Sequence, residues 1–409
     1  LEQNYDLQAA ALRLEQAMAD SRSAAADLLP TLQVGLSGSK RKQNFIGFPI
    51  PGAEDRVLST VFSNYGVSLD TSWEADLWGR LRSGARAALA DLQSQAADLQ
   101  AAQLSLAGQT VKTWFAAAEA EQQLRLAKET VTSFGASADR VRERFEQGLR
   151  PSLDVRLALS NLSNAEALRA QRHQQLDSTV RQLEVILGRY ASGTLDTPSV
   201  LPDTPPAIPG GLPADLVSRR PDLVAAERRV AATGQRLQVA RADLYPSISL
   251  TANTGTSTGA LADLLSGNFG VWSFLSNLVQ PLFQGGRLRA GVDRAEAREA
   301  EELALYANTA LQAYSEVETA LAAEALLAER QGHLESSVEQ SRAAEQLADD
   351  RYRNGLDDFI AVLESQRLAL QAEGDLIAAR RQRLENRVDL YLALGGGVDH
   401  SSPAISAQP

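Results

Sequence analysis

The chain has 409 residues, a formal net charge of −11 and no cysteine. The acidic balance disfavours a non-specific nucleic-acid partner, and the lack of cysteine excludes disulfides, thiolate metal sites and a cysteine nucleophile. Aromatic residues make up only 5%, and long stretches rich in Ala, Leu, Gln, Glu and Arg contain neither Pro nor Gly. This composition is typical of long helices with coiled-coil packing. No apolar run of about 18 residues occurs, so no transmembrane helix is predicted.

The first elements predicted along the chain are a helix and a β-hairpin. Residues 1–28 are predicted to be helical up to Pro30, which cannot continue a helix. Alternating apolar and polar residues then predict strands over about 31–40 and 61–72, joined by a loop that contains Gly and Pro. Because residue 1 falls at the start of this helix, we expect that the native N-terminus has been trimmed.

A long helix and a returning helix are predicted next. Apolar and small residues recur at helical spacing between Gly79 and Gly148, a span of about 104 Å at ~1.5 Å per residue. Glycine suits the left-handed position that ends a helix. The returning helix is predicted from Pro151 to about Leu187, roughly 56 Å.

The second half of the chain predicts the same order of elements. In chain order they are a linker rich in Pro and Gly (191–214), a helix (215–244), two strands (247–256 and 269–280), a long helix (286–355) and a returning helix that starts at Asp357.

An internal repeat relates the two halves. Gly79-Arg80-Leu81-Arg82 returns as Gly286-Arg287-Leu288-Arg289, and residues 79–188 map onto 286–395 at a constant offset of 207. The mapping needs no insertion or deletion, so the paired helices of the two copies must agree in length. The predicted segments are the first repeat (1–190), the linker (191–214), the second repeat (215–395) and a C-terminal tail (396–409).

The returning helix is too short to run beside the whole long helix. The helix at 215–244 adds roughly 45 Å. We therefore expect these two short helices to lie end to end beside a long one, with their junction in the linker 191–214.

The four predicted strands have the length that is needed to cross an outer membrane, ~9–11 residues. Four strands cannot close a barrel, and in lipid every strand edge must be paired. The chain would therefore supply a third or a quarter of a shared barrel. Ser, Thr, Asn, Gly and Gln on the polar faces are typical of a water-filled lumen. The alternative is a small soluble sheet that caps a helical bundle.

Several motifs resemble the TolC-like outer-membrane efflux ducts, specifically the OprM/NodT lipoprotein branch. The resemblance covers nearly the whole chain and rests on the motifs together, since each is weak alone. The motifs are Ser72-Trp73-Glu74-Ala75-Asp76-Leu77-Trp78-Gly79-Arg80, Arg219-Arg220-Pro221-Asp222-Leu223, Arg241-Ala242-Asp243-Leu244-Tyr245-Pro246-Ser247-Ile248 and Pro281-Leu282-Phe283-Gln284-Gly285-Gly286-Arg287.

The resemblance implies a mainly α fold with a small β part. Three copies would combine a long coiled-coil-like α-barrel with a twelve-stranded transmembrane β-barrel, in the outer membrane of a Gram-negative bacterium and with a long periplasmic extension. The implied partners are a periplasmic adaptor protein, an inner-membrane transporter of the RND type and outer-membrane lipid. No cofactor is implied apart from an N-terminal lipid anchor, whose acylated Cys is absent from this sequence.

The resemblance also implies a gate and a docking edge at the helix tips. Related ducts are narrowed by residues just after the tip glycines, and the matching gate positions here are Leu153, Asp154, Ile360, Glu364 and Arg367. Glu364 and Arg367 are also spaced as an ordinary surface pair. The tips themselves resemble the adaptor-docking edge, or act simply as capping turns: Gly148, Leu149, Arg150, Gly355, Leu356 and Asp357.

No catalytic constellation is found in the sequence. The three His residues stand apart, and neither a phosphate-binding Gly loop nor a zinc-ligand spacing occurs. A passive export duct is therefore the leading interpretation, with a non-transporting helical scaffold as the alternative and an enzyme disfavoured. Four aromatic residues near strand ends fit either a membrane-interface belt or core packing: Trp73, Trp78, Trp272 and Phe283.

Overall fold

The computed structural model describes residues 3–44, 59–204 and 219–396. The loop between the first two strands (45–58), the end of the predicted linker (205–214), the predicted start of the second repeat (215–218) and the tail (397–409) lie outside the described residues. In chain order the elements are α1 (Tyr5–Ala26), β1 (Thr31–Asn44), β2 (Ser59–Ala75), α2 (Arg80–Glu146), α3 (Ser152–Ile186), α4 (Pro221–Ala242), β3 (Ser247–Thr258), β4 (Gly270–Val279), α5 (Arg287–Arg353) and α6 (Phe359–Ala393). Short 3-10 turns at Leu261–Asp263 and Gly267–Phe269 lie between β3 and β4.

The repeated helices have equal lengths, as the constant offset predicts. Helices α2 and α5 each contain 67 residues, and α3 and α6 each contain 35. Helices α1 and α4 also match, at 22 residues each. In the described residues α4 begins at Pro221, a residue that favours the first helical position, and the predicted start at 215 lies outside the described residues.

The described residues form two compact units. One contains the four strands with residues 14–44, 59–95 and 226–306, and the other contains residues 3–13, 96–204, 219–225 and 307–396. We refer to them as the strand unit and the helical unit. Among the described helices, none combines the length and apolar character needed to cross a membrane.

The strand unit contains one antiparallel sheet in the order β1-β2-β3-β4. Pairing Val34 with Leu69, and Leu69 with Thr254, places alternate residues of neighbouring strands on one face. Apolar residues dominate this face and are exposed, with Val34 at 78%. On β1, β2 and β3 the opposite face carries mainly Ser, Thr, Asn and Asp, whereas on β4 it includes the exposed apolar residues Leu275 and Val279. The predicted two-faced pattern is therefore confirmed for β1, β2 and β3 and is absent from β4.

The first two strands are longer than predicted. β1 continues to Asn44 and β2 spans Ser59–Ala75, with Asn44 paired to Ser59. The extension of β1 is Arg41-Lys42-Gln43-Asn44, which is polar on both faces. Because alternation is absent there, hydrophobic pattern cannot reveal the strand.

Two of the four aromatic residues near strand ends are fastened to backbone groups. The indole N–H of Trp73 donates to the backbone oxygen of Leu28 at 3.0 Å, and that of Trp78 to Pro246 at 2.7 Å. Trp78 also stacks on Tyr245 at 4.9 Å between ring centroids. Packing where strands meet helices therefore accounts for this pair. The other two remain largely exposed: Trp272 (80%) and Phe283 (90%).

In the helical unit, α6 lies between α2 and α5. On one side Gln123 of α2 donates to the backbone oxygen of Gly374 at 2.9 Å. On the other side Asn386 donates to the backbone oxygen of Ala320 in α5 at 3.0 Å. Arg387, whose side chain is 3% exposed, also binds Glu324 of α5 at 2.7 Å. Helix α6 is therefore buried along two faces.

The ends of the short helices meet in a pairing that differs from the predicted one. Asn4, before α1, donates to the backbone oxygen of Ile186 at the end of α3, at 2.9 Å. Arg220, before α4, donates to the backbone oxygen of Ala393 at the end of α6, at 3.3 Å. The predicted junction of α3 with α4 through the linker was wrong. Length arithmetic cannot distinguish these pairings, because α1 and α4 are equally long.

Glu184 of α3 fastens the start of the linker. Its buried carboxylate accepts hydrogen bonds from the backbone N–H groups of Gly193, Thr194 and Leu195 at 2.7 to 3.2 Å and from the Ser192 hydroxyl at 2.8 Å. These donors, the Gly193 N–H first, hold the pKa of Glu184 below its usual value.

We expect Glu184→Gln to expose the linker, since an amide cannot replace a carboxylate that accepts four hydrogen bonds. Tryptic cleavage after Arg189 should become faster at neutral pH, and the melting temperature should fall. The melting difference should shrink as the pH falls below the usual pKa of a glutamate carboxyl, because stability from a depressed carboxyl pKa is present above the unfolded pKa and is lost as the pH falls through the folded pKa. The exposed Glu166→Gln on the same helix is the control. Equal melting of Glu184→Gln and wild type at neutral pH would contradict this role.

Candidate gate and docking tips

Both helix tips are glycine-ended turns with the same geometry. At the first tip the N–H of Gly148 donates to Phe145 O at 2.8 Å, and that of Leu149 donates to Arg144 O at 2.9 Å. The second tip repeats these bonds one offset later. The two glycines have φ of 75° and 74°, a left-handed conformation in which other residues are strained. Exposed leucines follow the glycines: Leu149 (66%) and Leu356 (65%).

The returning helices begin at Ser152 and Phe359, one and two residues after their predicted starts. Pro151 and Asp358 are the capping residues, and both have extended backbone. Asp357, predicted to start the second returning helix, is instead bound by Arg351, whose Nε and Nη2 donate to its carboxylate at 2.5 and 3.0 Å. The arginine lowers the pKa of Asp357. Asp357 therefore forms an ion pair within the turn, and Asp358 takes the capping position of α6.

A compact apolar core lies behind the two tips. It contains residues from all four helices that meet there, each no more than 5% exposed: Ala138, Val141, Ala158, Tyr352, Phe359 and Val362. The rings of Tyr352 and Phe359 are 5.3 Å apart. The two hairpins of one chain are therefore packed together at their ends.

Arginines of the first tip hold Tyr352 of the second tip. Arg144 donates to the backbone oxygens of Tyr352 and Arg353 at 3.3 and 3.1 Å, and Arg150 lies 4.5 Å above the Tyr352 ring. A guanidinium over a tyrosine face is a favourable cation–π contact. We call the contacts of Arg144 and Arg150 with Tyr352 and Arg353 the tip latch. Sequence reasoning missed this arrangement, although Phe145 at the position that matches Tyr352 marked a difference between the copies.

Asp154 lies beside the tip latch. It is 8% exposed, and burial raises the pKa of its carboxyl, with a further rise from Asp358 and an opposing effect from Arg150. Burial raises the pKa of the Tyr352 hydroxyl, and Asp154 raises it further, against the opposing charges of Arg150 and Arg144. The neighbouring Leu153 is 59% exposed. The structure therefore separates these two predicted gate residues into a buried acid and an exposed apolar side chain.

The other three predicted gate residues lie together along a groove. Arg367 binds Glu364 in a two-pronged ion pair, with Nη2 and Nε at 2.6 and 3.0 Å from the carboxylate oxygens, and lowers the pKa of Glu364. Ile360 lies nearby and is 60% exposed. The groove has a volume of about 750 Å³ between α2, α3 and α6, and its apolar lining includes Leu126, Phe134 and Leu168. In the described part of the chain, no group of acidic or His side chains has the arrangement of a metal site.

Comparison with known proteins identifies the family. The model of the family described as "Outer membrane efflux protein" matches residues 1–189 and 212–396, which leaves out most of the predicted linker. The toluene efflux pump outer membrane protein TtgF of Pseudomonas putida is 32% identical over all of this chain and 83% of its own length. The pyoverdine export outer membrane protein OpmQ of Pseudomonas putida is 33% identical, covering 98% of this chain and 85% of its own.

A solved structure supports the same assignment. The CmeC outer membrane channel of Campylobacter jejuni superposes with a TM-score of 0.91 at 25% identity, over 98% of this chain and 84% of the channel. The fold class and the family resemblance predicted from sequence are thereby confirmed. The chain belongs to the outer membrane efflux protein family, and it is an outer-membrane exit duct with a helical periplasmic extension rather than an enzyme.

Proposed function

We propose that three copies of this chain form the exit duct of a tripartite efflux pump. The tips would dock a periplasmic adaptor that leads to an RND-type inner-membrane transporter, and the residues behind the tips would form the gate. The observation that carries the assembly is an exposed stripe on α5. The tip geometry supports the gate and the docking edge.

The stripe on α5 is identified by comparing α5 with α2, its counterpart in the first repeat. Six residues of α2 face α6, through the contacts of Leu104 with Gly396, Gly108 with Leu392, Lys112 with Asp389, Phe115 with Leu384, Glu119 with Arg381 and Gln123 with Gly374. At offset 207 these six positions on α5 are Leu311, Ser315, Thr319, Ala322, Leu326 and Arg330, and all are exposed.

The same repeat offset identifies the surface that would pack against this stripe. The residues of α6 that face α2 correspond to positions on α3 that are also exposed, among them Gln174, Gln182 and Val185. Leu326 is 67% and Val185 60% exposed, which is costly for large apolar side chains in water. A second copy that presents α3 to α5 would cover both surfaces in the way that α6 covers α2.

The sheet supports the same assembly. Within the described sheet, β1 pairs only with β2, and β4 pairs only with β3. An open sheet edge is not stable in lipid. Pairing β4 of one copy with β1 of the next would close the sheet without an exposed edge.

For the assembly, we expect Leu326→Lys to shift the purified protein from trimer toward monomer, because a charge would replace an apolar side chain that the neighbouring copy would cover. Light scattering after size exclusion in detergent measures this change. Ala343→Lys, on another face of α5, is the control and should remain trimeric. A fully trimeric Leu326→Lys protein would argue against the stripe as an interface.

For the gate, we expect Glu364→Ala combined with Arg367→Ala to raise single-channel conductance severalfold in planar bilayers. Removal of two long, exposed side chains would widen the passage and break the ion pair that orders them. The exposed pair Asp139 and Arg142, at 3.5 Å and outside the groove, gives the matched double alanine control. Unchanged conductance in the Glu364 and Arg367 variant would remove these residues from the gate.

For the docking edge, we expect Gly355→Val to block efflux in cells while trimers still assemble. A Cβ at Gly355 meets no atom within 4 Å, so the damage would come from the left-handed backbone, at about 1–3 kcal/mol, and from altered tip shape. Gly332→Val, in the middle of α5 and equally open, is the control. Normal efflux by Gly355→Val would count against docking through this tip.

A further inference from the structure

The apolar face of β1 becomes basic toward one end of the strand. Strand alternation places Leu32 and Leu36 on this face, and it places Lys40 and Lys42 on the same face further along. Arg41 lies between the two lysines in sequence and belongs to the opposite, polar face. In a transmembrane barrel the apolar face meets lipid. The lipid-facing side of β1 therefore ends in two positive charges.

These lysines lie toward the edge of the sheet that faces the cell exterior. All four strands join helices at the other edge, where β1 begins with Thr31. Those helices are the periplasmic extension, so the opposite edge, where Asn44 pairs with Ser59, faces away from the periplasm. Lys40 and Lys42 are therefore on the side of the outer leaflet.

The length of β1 places the lysines at the outer boundary of the membrane. From Leu32 to Lys42 the strand rises about 34 Å at ~3.4 Å per residue, or roughly 26 Å along the membrane normal at a tilt of ~40°. The apolar band of such barrels is about 25 Å tall. Tyr65 lies opposite Gly38, just before the lysines, and tyrosine is enriched at membrane interfaces.

The surroundings of the two lysines suit an anionic lipid. Both lysines are exposed, and neither forms a hydrogen bond or ion pair with another residue of the described chain. Their partners on β2 are the uncharged Ser63 and Val61, and Val61 is 55% exposed. The Cα atoms of the lysines are about 7 Å apart at ~3.4 Å per residue, so both ammonium groups can reach one phosphate.

We propose that Lys40 and Lys42 bind the phosphate groups of a phosphorylated glycolipid in the outer leaflet of the outer membrane. Lysine binds phosphate as a point charge, and basic residues at a membrane surface attract anionic lipid. The acyl chains would lie against the apolar face of the sheet, so the lipid would hold the outer end of the hairpin at a fixed depth. The proposal requires only the lipid-facing side of the sheet, and it does not depend on the gate, the docking edge or the number of copies.

The first test measures binding of bisphosphorylated lipid A to the purified protein in non-ionic detergent by native mass spectrometry. Lys40→Gln combined with Lys42→Gln, the Gln pair, should raise the Kd on the order of tenfold or more. Lys40→Arg with Lys42→Arg should bind as the wild type does, because the charges remain.

The matched control lies on the same strand. Arg41→Gln removes one charge from the polar face and should leave the Kd unchanged, whereas Lys42→Gln removes one charge from the lipid face and should raise it. Wild-type binding by the Gln pair would overturn the proposal. An equal loss in Arg41→Gln and Lys42→Gln would also overturn it, because binding would then follow overall charge.

The second test identifies the chemical group that is bound. The same glycolipid without its phosphates should bind the wild type as weakly as the intact glycolipid binds the Gln pair. Inorganic phosphate at millimolar concentration should not displace the glycolipid, since it lacks acyl chains. Equal binding of the glycolipid without phosphates would refute the role of the lysines. Full displacement by inorganic phosphate would refute a lipid site in favour of a free-anion site.

The oligomeric state and conductance of the Gln pair separate this proposal from the proposed duct. Both should match the wild type while glycolipid binding falls, because the lysines lie away from the polar face of the sheet and from the helix tips. If the Gln pair loses its oligomeric state, Lys42→Gln alone decides the question. Unchanged glycolipid binding by that single variant would then overturn the proposal.

Discussion

The helical unit depends on one constraint, which is that neighbouring helices begin and end together. Glycines in the left-handed conformation end both long helices, at Gly148 and Gly355, and both returning helices, at Gly188 and Gly395. Each of these positions terminates its helix with the same pair of backbone hydrogen bonds. The glycines of the second copy follow those of the first at one constant offset, so the helices of the two copies agree in length. The contacts between the helices depend on that agreement.

Equal length does not make the copies equivalent. Helix α6 is covered on two faces, whereas the matching face of α3 is open in a single chain. The ion pairs that join α2 to α6, such as Lys112 with Asp389, correspond to the neutral residues Thr319 and Gln182. At these positions the seam between copies would lack the charge pair that the seam within a chain has, so salt would weaken the seam within a chain more at this point.

Much of this fold could be predicted from sequence because the ends of its helices are set by local chemistry. Pro30 and Gly148 mark helix ends whatever surrounds them. The pairing of α1 with α3 could not be predicted, because it depends on contacts such as Asn4 with Ile186 that carry no local signal. The same holds for the site. The ion pair of Glu364 with Arg367 could be predicted because the two residues are neighbours in sequence, whereas the contact of Arg144 with Tyr352 joins two distant hairpins and could not.

A chain that contains the same hairpin twice must also avoid exchanging its parts while it folds. Arg387 of α6 is buried against Glu324 of α5, and the matching positions in the first repeat are Val180 and Ala117, both buried and apolar. A helix pair that combined α6 with α2 in place of α5 would set Arg387 against Ala117. An unpartnered buried charge costs about 3–5 kcal/mol. The ion pair of Arg387 with Glu324 therefore favours this packing of α6 on α5 over the same packing of α6 on α2.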